Sequence, residues 1–224
     1  MGVAENVSKV RKLINDACAT ASRNPESVTI VGVTKYVDTL VADELKSKGV
    51  NNLGENRPNV FLEKYGELGD GVIWHFIGTL QTRKVRDVIN KIDYLHSLDR
   101  VSLAEEINKR AENIVKCFVQ VNVSGEESKH GIAVDEAVDF IKGLEKFQKI
   151  KVIGLMTMAP ETEDDSIIRS CFSGLRKLQE SIQEMSLAHA PCTELSMGMT
   201  DDFLIAINEG ATFIRLGRCL VEEM

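Results

Sequence analysis

The run VTIVGVTKYV at positions 28–37 decides the fold class, because seven runs of similar character follow it along the chain. Its valines and isoleucines are typical of a strand buried on both faces, as in a parallel sheet. It ends on a lysine, Lys35, although buried strands rarely carry a charge. The seven counterparts are NNLGEN (51–56), VIWHFIG (72–78), DYLHSLD (93–99), VKCFVQVNV (115–123), IKVIGLMTM (150–158), TELSM (193–197) and TFIRLG (212–217).

Segments with helical spacing separate these runs. Between 164 and 183 one apolar face is formed by Ile168, Cys171, Phe172, Leu175 and Leu178. Strands that alternate with helices pair in parallel through right-handed crossovers. Eight such units predict an α/β fold, a (β/α)8 TIM barrel that forms one domain over residues 1–224. A doubly wound open sheet is the alternative, but no G-x-G-x-x-G motif follows the first strand.

An extra helix precedes the first strand of this barrel. The residues at helical spacing are Val7, Val10, Leu13, Ile14 and Ala17. The same N-terminal segment mixes charges among its apolar residues, so it does not have the h-region of a signal peptide. We therefore expect a cytoplasmic protein.

The composition narrows the choice of partners. With 43% hydrophobic and 27% charged residues, the chain resembles an ordinary globular protein, and no apolar run approaches the roughly 18 residues of a membrane span. A net charge of −7 disfavours nucleic acid, which attracts concentrated positive charge. No His or Cys spacing predicts a metal site.

Polar residues stand where the predicted strands end. Lys35 ends the first strand, Asn56 the second, Thr157 the sixth and Ser196 the seventh, while Arg215 lies within the eighth. In a (β/α)8 barrel the carboxyl ends of all strands open onto one mouth, which carries the active site. These side chains are therefore expected to converge.

The last two strands predict a phosphate site. LSMGMT places Ser196 and Gly198 after the seventh strand, and RLGRC places Gly217 after the eighth. Glycine lets backbone N–H groups approach phosphate, and a serine hydroxyl adds a donor. Turn residues without a ligand are the simpler alternative for each residue alone.

Two positively charged residues, Arg215 and Lys35, are expected near this phosphate site. Arg215 interrupts an apolar strand, so it either pairs with a core carboxylate or faces a ligand with an acceptor ring or a second anionic group. Burial beside another cation favours the neutral form of an amine, which attacks carbonyl carbons. Lys35 opposite a phosphate cradle thus fits a phosphorylated aldehyde, and pyridoxal 5′-phosphate (PLP) combines these features. The alternative is a lysine whose ammonium stays in water.

The same residues carry a family resemblance. The motifs are TK after the first strand, GENR (54–57), WHFIGTLQTRK (74–84), GLMTMAP (154–160), LSMGMTDDFLIAINEG (195–210) and FIRLG (213–217). In this order and over nearly the whole chain they resemble the YggS/PROSC family, the pyridoxal phosphate homeostasis proteins. The resemblance implies a fold like the N-terminal domain of alanine racemase and binding of PLP rather than a known turnover.

The resemblance also implies roles for single residues. Lys35 would form a Schiff base with PLP, Asn56 would lie near the pyridine ring, and Arg215 would face the ring nitrogen. The remaining contacts would be Ser196, Gly217 and Arg218 at the phosphate, and Thr157, Met158 and Met197 in the pocket wall. The chain departs from the family pattern at Tyr36, where threonine is more common, and this could alter the pocket rim.

An arginine that faces the pyridine nitrogen disfavours its protonation, and an unprotonated ring is a weaker electron sink. Racemisation also needs an acid and a base on opposite faces of the substrate, and Lys35 supplies one face only. The three tyrosines do not replace the missing group convincingly; they are Tyr36, Tyr65 and Tyr94.

We therefore expect a PLP-binding protein without a dedicated catalytic activity, a monomer that acts in PLP homeostasis or delivers the cofactor to PLP-dependent apo-enzymes. A weak amino-acid racemase is the first alternative. A Schiff-base aldolase on a sugar phosphate is the second, with Glu55 or Asp99 as its proton relay. Lys129 after the fifth strand could be a second contact for phosphate or aldehyde.

Overall fold

The computed structural model describes residues 2–126 and 130–222, and within these ranges it contains nine strands and nine α-helices. The strands are β1 (Thr29–Val33), β2 (Asn52–Glu55), β3 (Ile73–Phe76), β4 (Tyr94–Leu98), β5 (Val115–Asn122), β6 (Ile132–Ala133), β7 (Ile150–Met156), β8 (Glu194–Ser196) and β9 (Phe213–Leu216). Lys129, predicted as a second contact, lies outside the described residues.

The helices fill the connections between the strands. They are α1 (Val3–Thr20), α2 (Thr39–Ser47), α3 (Pro58–Leu68), α4 (Val85–Val88), α5 (Val101–Arg110), α6 (Val134–Gly143), α7 (Asp165–Glu184), α8 (Phe203–Asn208) and α9 (Arg218–Val221). None of the helices in the described ranges is long and apolar enough to cross a membrane.

Eight of the strands close into a parallel barrel, which confirms the predicted fold. Their order is β4-β3-β2-β1-β9-β8-β7-β5, and pairing of β4 with β5 closes the ring. The two-residue strand β6 was not predicted; it pairs in parallel with the end of β5. The predicted N-terminal helix is α1, which packs against α8 and α9 outside the β9 and β1 strands.

Side chains alternate between two apolar regions. The larger lies between the strands and the helices, and the smaller lies inside the barrel, with Val31, Phe118, Met156 and Phe213 at its centre. Alternation along a strand places Arg215 on the same inner face as Phe213, while Ile214 between them belongs to the outer region. The period of two therefore brings the arginine of β9 into the barrel.

Strand β7 pairs with β8 through Gly154, which lies opposite Glu194. A Cβ atom on Gly154 would overlap the backbone carbonyl of Glu194. Only glycine fits there without displacing the strand that carries Ser196.

We expect Gly154→Ala to lower the free energy of unfolding by about 1–3 kcal/mol, because the added methyl group forces the two strands apart. Gly66→Ala is the matched control. Gly66 lies in α3 with no atom near its missing side chain, so the alanine should raise stability by about 0.5–1 kcal/mol. Denaturant unfolding of both variants measures the difference, and equal stabilities would contradict the strand contact.

Candidate functional site

Several of the predicted residues lie at or just after the carboxyl ends of the barrel strands. Strand β1 lies between β2 and β9, and β8 lies between β9 and β7. Lys35 and Asn56 therefore follow neighbouring strands, and Arg215 reaches both Ser196 and Thr157. The arrangement contains one amine, one guanidinium and several uncharged polar groups.

The guanidinium of Arg215 is buried inside the barrel. Its Nη1 donates to Ser196 Oγ at 2.7 Å and its Nη2 to the carbonyl of Thr157 at 3.0 Å. Within residues 2–126 and 130–222 no carboxylate forms an ion pair with it. Burial lowers the pKa of Arg215 to about 10, and the nearby carboxylate of Asp202 opposes this shift. At neutral pH the site thus holds a desolvated cation with donors to spare.

A chain of hydrogen bonds continues from Arg215 through the barrel. Ser196 Oγ lies 2.8 Å from His96 Nδ1, and His96 Nε2 lies 2.9 Å from His75 Nδ1. His75 Nε2 is 2.9 Å from the side-chain oxygen of Asn52. Four strands contribute to this chain below Arg215, which ties the mouth to the middle of the barrel.

Both histidines of the chain are neutral. Burial lowers the pKa of His75 to about 3, with a smaller effect from the Lys116 ammonium. Burial also lowers the pKa of His96 well below its usual value, helped by His75 and Arg215. Each imidazole therefore carries one N–H group and one acceptor nitrogen.

Lys35 lies in the turn directly after β1 and is half-buried. Its Nζ is 4.7 Å from the ring centroid of Tyr36, within the range of a cation–π contact. Tyr36, where the family more often has threonine, is 78% exposed. Solvent and small molecules can consequently reach the amine.

A buried ion pair holds the backbone just before Lys35. Lys64 Nζ donates to Glu55 Oε1 at 2.6 Å and to the carbonyl of Thr34 at 2.5 Å. The Thr34 hydroxyl donates to the same Glu55 oxygen at 2.6 Å. These contacts fix both the side chain and the carbonyl of Thr34, so the position of the turn that carries Lys35 is set from outside the barrel.

Asn56 presents an acceptor without a donor. Its side-chain oxygen is buried and has no hydrogen-bond partner among the described residues. A Cβ atom on Gly78 would lie 2.5 Å from the Asn56 carbonyl oxygen, so glycine in the neighbouring loop allows Asn56 to hold this place. Buried polar atoms in proteins nearly always have a hydrogen-bond partner, so the Asn56 oxygen is a candidate contact for a ligand that carries a donor.

At the predicted phosphate corner, Ser196 is fully buried and its hydroxyl already contacts Arg215 and His96. Gly217 precedes α9, and the exposed side chain of Arg218 binds Asp201 at 2.5 Å. Thr200 is half-buried, and its hydroxyl lies 3.6 Å from the Cys219 sulfur in α9. Sequence reasoning missed Thr200, although it ends the LSMGMT motif.

The predicted wall residues occupy three different environments. Thr157 is buried and its hydroxyl donates to the Val121 carbonyl at 2.8 Å. Met158 is half-buried and packs on the apolar cluster inside the barrel. Met197 is fully buried in the outer apolar region, on the opposite side of the strand from Ser196. The structure therefore brings Thr157 and Met158, but not Met197, to the mouth.

The sequence alone assigns no role to His75, His96 or Lys64. The signal for Lys64 was its place on the buried face of α3, between Phe61 and Leu68 at helical spacing. Across residues 2–126 and 130–222, no three His, Cys, Asp or Glu side chains are grouped as metal ligands.

Comparison with known proteins gives a consistent family. A model of the alanine racemase N-terminal domain matches residues 3–223. A pyridoxal phosphate homeostasis protein from Aquifex aeolicus is 40% identical and spans 100% of this chain and 99% of its own. Its counterpart from Pseudomonas aeruginosa is 33% identical over 97% of this chain and 94% of that protein.

Solved structures agree with the fold. PipY from Synechococcus elongatus, solved with PLP bound, has a TM-score of 0.86 and 29% identity, and the match covers 98% of this chain and 99% of PipY. Alanine racemase from Clostridium difficile has a TM-score of 0.80 at 16% identity and covers 98% of this chain and 56% of that enzyme. The second likeness concerns the fold alone.

We expect Lys64→Met to lower the free energy of unfolding by about 3–5 kcal/mol, because it leaves the Glu55 carboxylate buried without its cation. The double variant Lys64→Met/Glu55→Gln should recover part of this loss, since no buried charge remains. Lys12→Met, at an exposed position of α1, should change stability by less than about 0.5 kcal/mol. Denaturant unfolding measures all three variants. If Lys64→Met lowers stability no more than Lys12→Met does, the ion pair of Lys64 with Glu55 does not stabilise the fold.

Proposed function

The chain belongs to the family of pyridoxal phosphate homeostasis proteins, built on the alanine racemase N-terminal domain, and from this we propose that it binds PLP at the barrel mouth. The observation that carries the proposal is the buried Arg215 guanidinium, which lacks an ion-pair partner among the described residues. A desolvated cation with unused donors is costly unless an acceptor completes it. A pyridine nitrogen is such an acceptor.

The other groups at the mouth also fit PLP. We propose that Lys35 would hold the cofactor as a Schiff base, in which its amine nitrogen would bond to the aldehyde carbon and the aldehyde oxygen would leave as water. The orphan acceptor of Asn56 would receive a hydrogen bond from a donor on the ring side. Bound PLP supplies an electrophilic aldehyde and an electron-accepting ring.

For the phosphate we propose a cradle of Thr200 with the backbone of Gly217 and Arg218. The Thr200 hydroxyl lies beside α9, and the Arg218 N–H at the start of that helix has no partner within the helix. Ser196 was predicted in this role, but its hydroxyl is engaged by Arg215 and His96. We therefore assign Ser196 to positioning Arg215. Thr157 and Met158 remain the proposed pocket wall.

The arrangement favours a carrier over a racemase. Among the described residues, none of the three tyrosines can act as the acid opposite Lys35: Tyr36 is exposed on the lysine's own turn, Tyr65 packs outside the barrel against Phe61 and Trp74, and Tyr94 stacks on His75 inside it. A single proton-transfer group cannot serve both faces of a substrate carbon.

An aldolase mechanism has less support from the geometry. Its candidate proton relays were Glu55 and Asp99. Glu55 is fully buried in the pair with Lys64, and Asp99 bonds to Arg100 at 2.6 Å. Both carboxylates are therefore engaged in holding cations of the protein itself.

We further propose that the protein works as a cytoplasmic monomer and passes PLP to apo-enzymes that require it. The support is the position of Lys35 in a half-buried turn beside the exposed Tyr36. Water or the lysine of another protein could attack the covalent bond at this rim and release the aldehyde. The identity of the recipient enzymes is left to experiment.

The first test is the absorption spectrum after PLP is added and the excess is removed. We expect a yellow band that borohydride bleaches, and we expect Lys35→Ala to lack it because Lys35 is the amine proposed to form the Schiff base. Lys48→Ala, which removes an exposed lysine, should keep the band. Absence of the band in the unaltered protein would overturn PLP binding at Lys35.

Delivery is tested separately by recovery of a PLP-dependent apo-enzyme. The loaded protein should restore its activity faster than an equal amount of free PLP in the presence of a competing amine, because the bound aldehyde is protected until transfer. The Lys35→Ala protein mixed with the same PLP should give only the rate of free PLP. A loaded protein that is no faster than free PLP would exclude delivery while leaving binding intact.

A further inference from the structure

We propose that His96 and His75 are positioning residues that fix the hydroxyl proton of Ser196 and thereby aim Arg215 at an unprotonated acceptor nitrogen of the ligand. The proposal rests on the PLP-binding function argued above. It adds the reason why the site would prefer a ring with an unprotonated nitrogen. It concerns residues buried below the mouth, which do not touch the ligand themselves.

The Asn52 end of the hydrogen-bond chain fixes its direction, and the Arg215 end is compatible with it. Arg215 has only donors, so Ser196 Oγ must accept from it at 2.7 Å. At the other end, the side-chain oxygen of Asn52 can only accept, so the His75 Nε2 that faces it at 2.9 Å must carry a proton. These two assignments leave little freedom between them.

The remaining protons follow one by one. A neutral His75 with its proton on Nε2 has a bare Nδ1, which must accept from His96 Nε2. His96 then has a bare Nδ1, which accepts the proton of the Ser196 hydroxyl. Every link has one donor and one acceptor in the order Arg215, Ser196, His96, His75, Asn52. Reversing the histidines would set two acceptors, His75 Nε2 and the Asn52 oxygen, against each other.

The surroundings keep the histidines in these neutral forms. His96 is fully buried and its ring centroid lies 4.4 Å from that of Phe118. His75 stacks on Tyr94 with centroids 4.5 Å apart and ring planes 3° apart. An apolar enclosure raises the cost of a second proton on either ring, so the direction of the chain is stable.

This direction has a consequence for the ligand. With its proton directed to His96, the Ser196 hydroxyl presents only lone pairs to Arg215 Nη1, while the Thr157 carbonyl accepts from Nη2. Two bonds to two strands fix the plane of the guanidinium. The remaining N–H groups of Arg215 can donate to a ring nitrogen that has a lone pair. A ring with C–H in that position leaves them without an acceptor, so it should bind more weakly.

The test compares PLP with its carbocyclic analogue, in which C–H replaces the ring nitrogen while the aldehyde and phosphate remain. Titration followed by absorbance gives a dissociation constant for each, and their ratio reports the nitrogen contact. The unaltered protein should prefer PLP by about tenfold or more, and Arg215→Met should lose this preference. His96→Phe, which keeps a ring between the aromatic neighbours, should bring the ratio at least threefold closer to that of Arg215→Met.

Further variants separate positioning from simple support of the fold. Ser196→Ala should lower the ratio as His96→Phe does, and it tests the chain if His96→Phe fails to fold. His96→Asn should restore part of the preference, since its amide oxygen can accept from Ser196 in place of Nδ1. His189→Phe, a histidine outside the barrel that bonds the Ile141 carbonyl, should leave the ratio unchanged.

The outcomes distinguish this proposal from the function on which it rests. If the unaltered protein forms no borohydride-sensitive adduct with PLP, the proposed function itself fails. If it forms the adduct but binds both ligands equally, or if His96→Phe and Ser196→Ala weaken both ligands by the same factor, the positioning role is refuted.

Discussion

The site depends on the positive charge of Arg215, which is buried inside the barrel and has no carboxylate partner in the part of the chain that the structure describes. Taking a guanidinium out of water is costly unless polar groups surround it. Here the serine of β8 and the backbone after β7 each accept one bond from Arg215, and the field of Asp202 compensates part of the desolvation. Closure of the barrel brings these groups within reach, so the fold and the cation depend on each other.

The strands of the barrel could be predicted because each is marked by its own apolar run and each is separated from the next by helical spacing. The strand at 132–133 escaped prediction because two residues carry no periodic signal. Met197 lies in the larger apolar region for a reason that the sequence contains. Successive side chains alternate across a strand, so a residue next to the inward-facing Ser196 must face the helices.

Other parts of the site could not be derived from local pattern. Lys64 is a charged residue on the apolar face of α3, which marks it as unusual. Its partner Glu55 is on β2, however, and only tertiary packing brings the two together. The Ser196 hydroxyl was available for phosphate on sequence grounds, because its contacts with Arg215 on β9 and His96 on β4 form only when the barrel closes. The sequence indicates which polar groups lie near the ends of the strands. Which hydrogen-bond partner each group takes depends on the three-dimensional arrangement.

The two ends of the proposed ligand meet opposite kinds of surroundings, and this difference bears on why binding without turnover suits the site. The nitrogen end would face a cation locked by a one-directional hydrogen-bond chain in a dry core. The aldehyde end would face Lys35 in a half-buried turn beside an exposed tyrosine. The first arrangement would discourage ring protonation and so weaken carbanion chemistry, while the second would leave the proposed covalent bond open to attack by water or amines. A protein that binds the ring inside the barrel and leaves the covalent bond accessible at the barrel mouth can hold a reactive aldehyde and still release it.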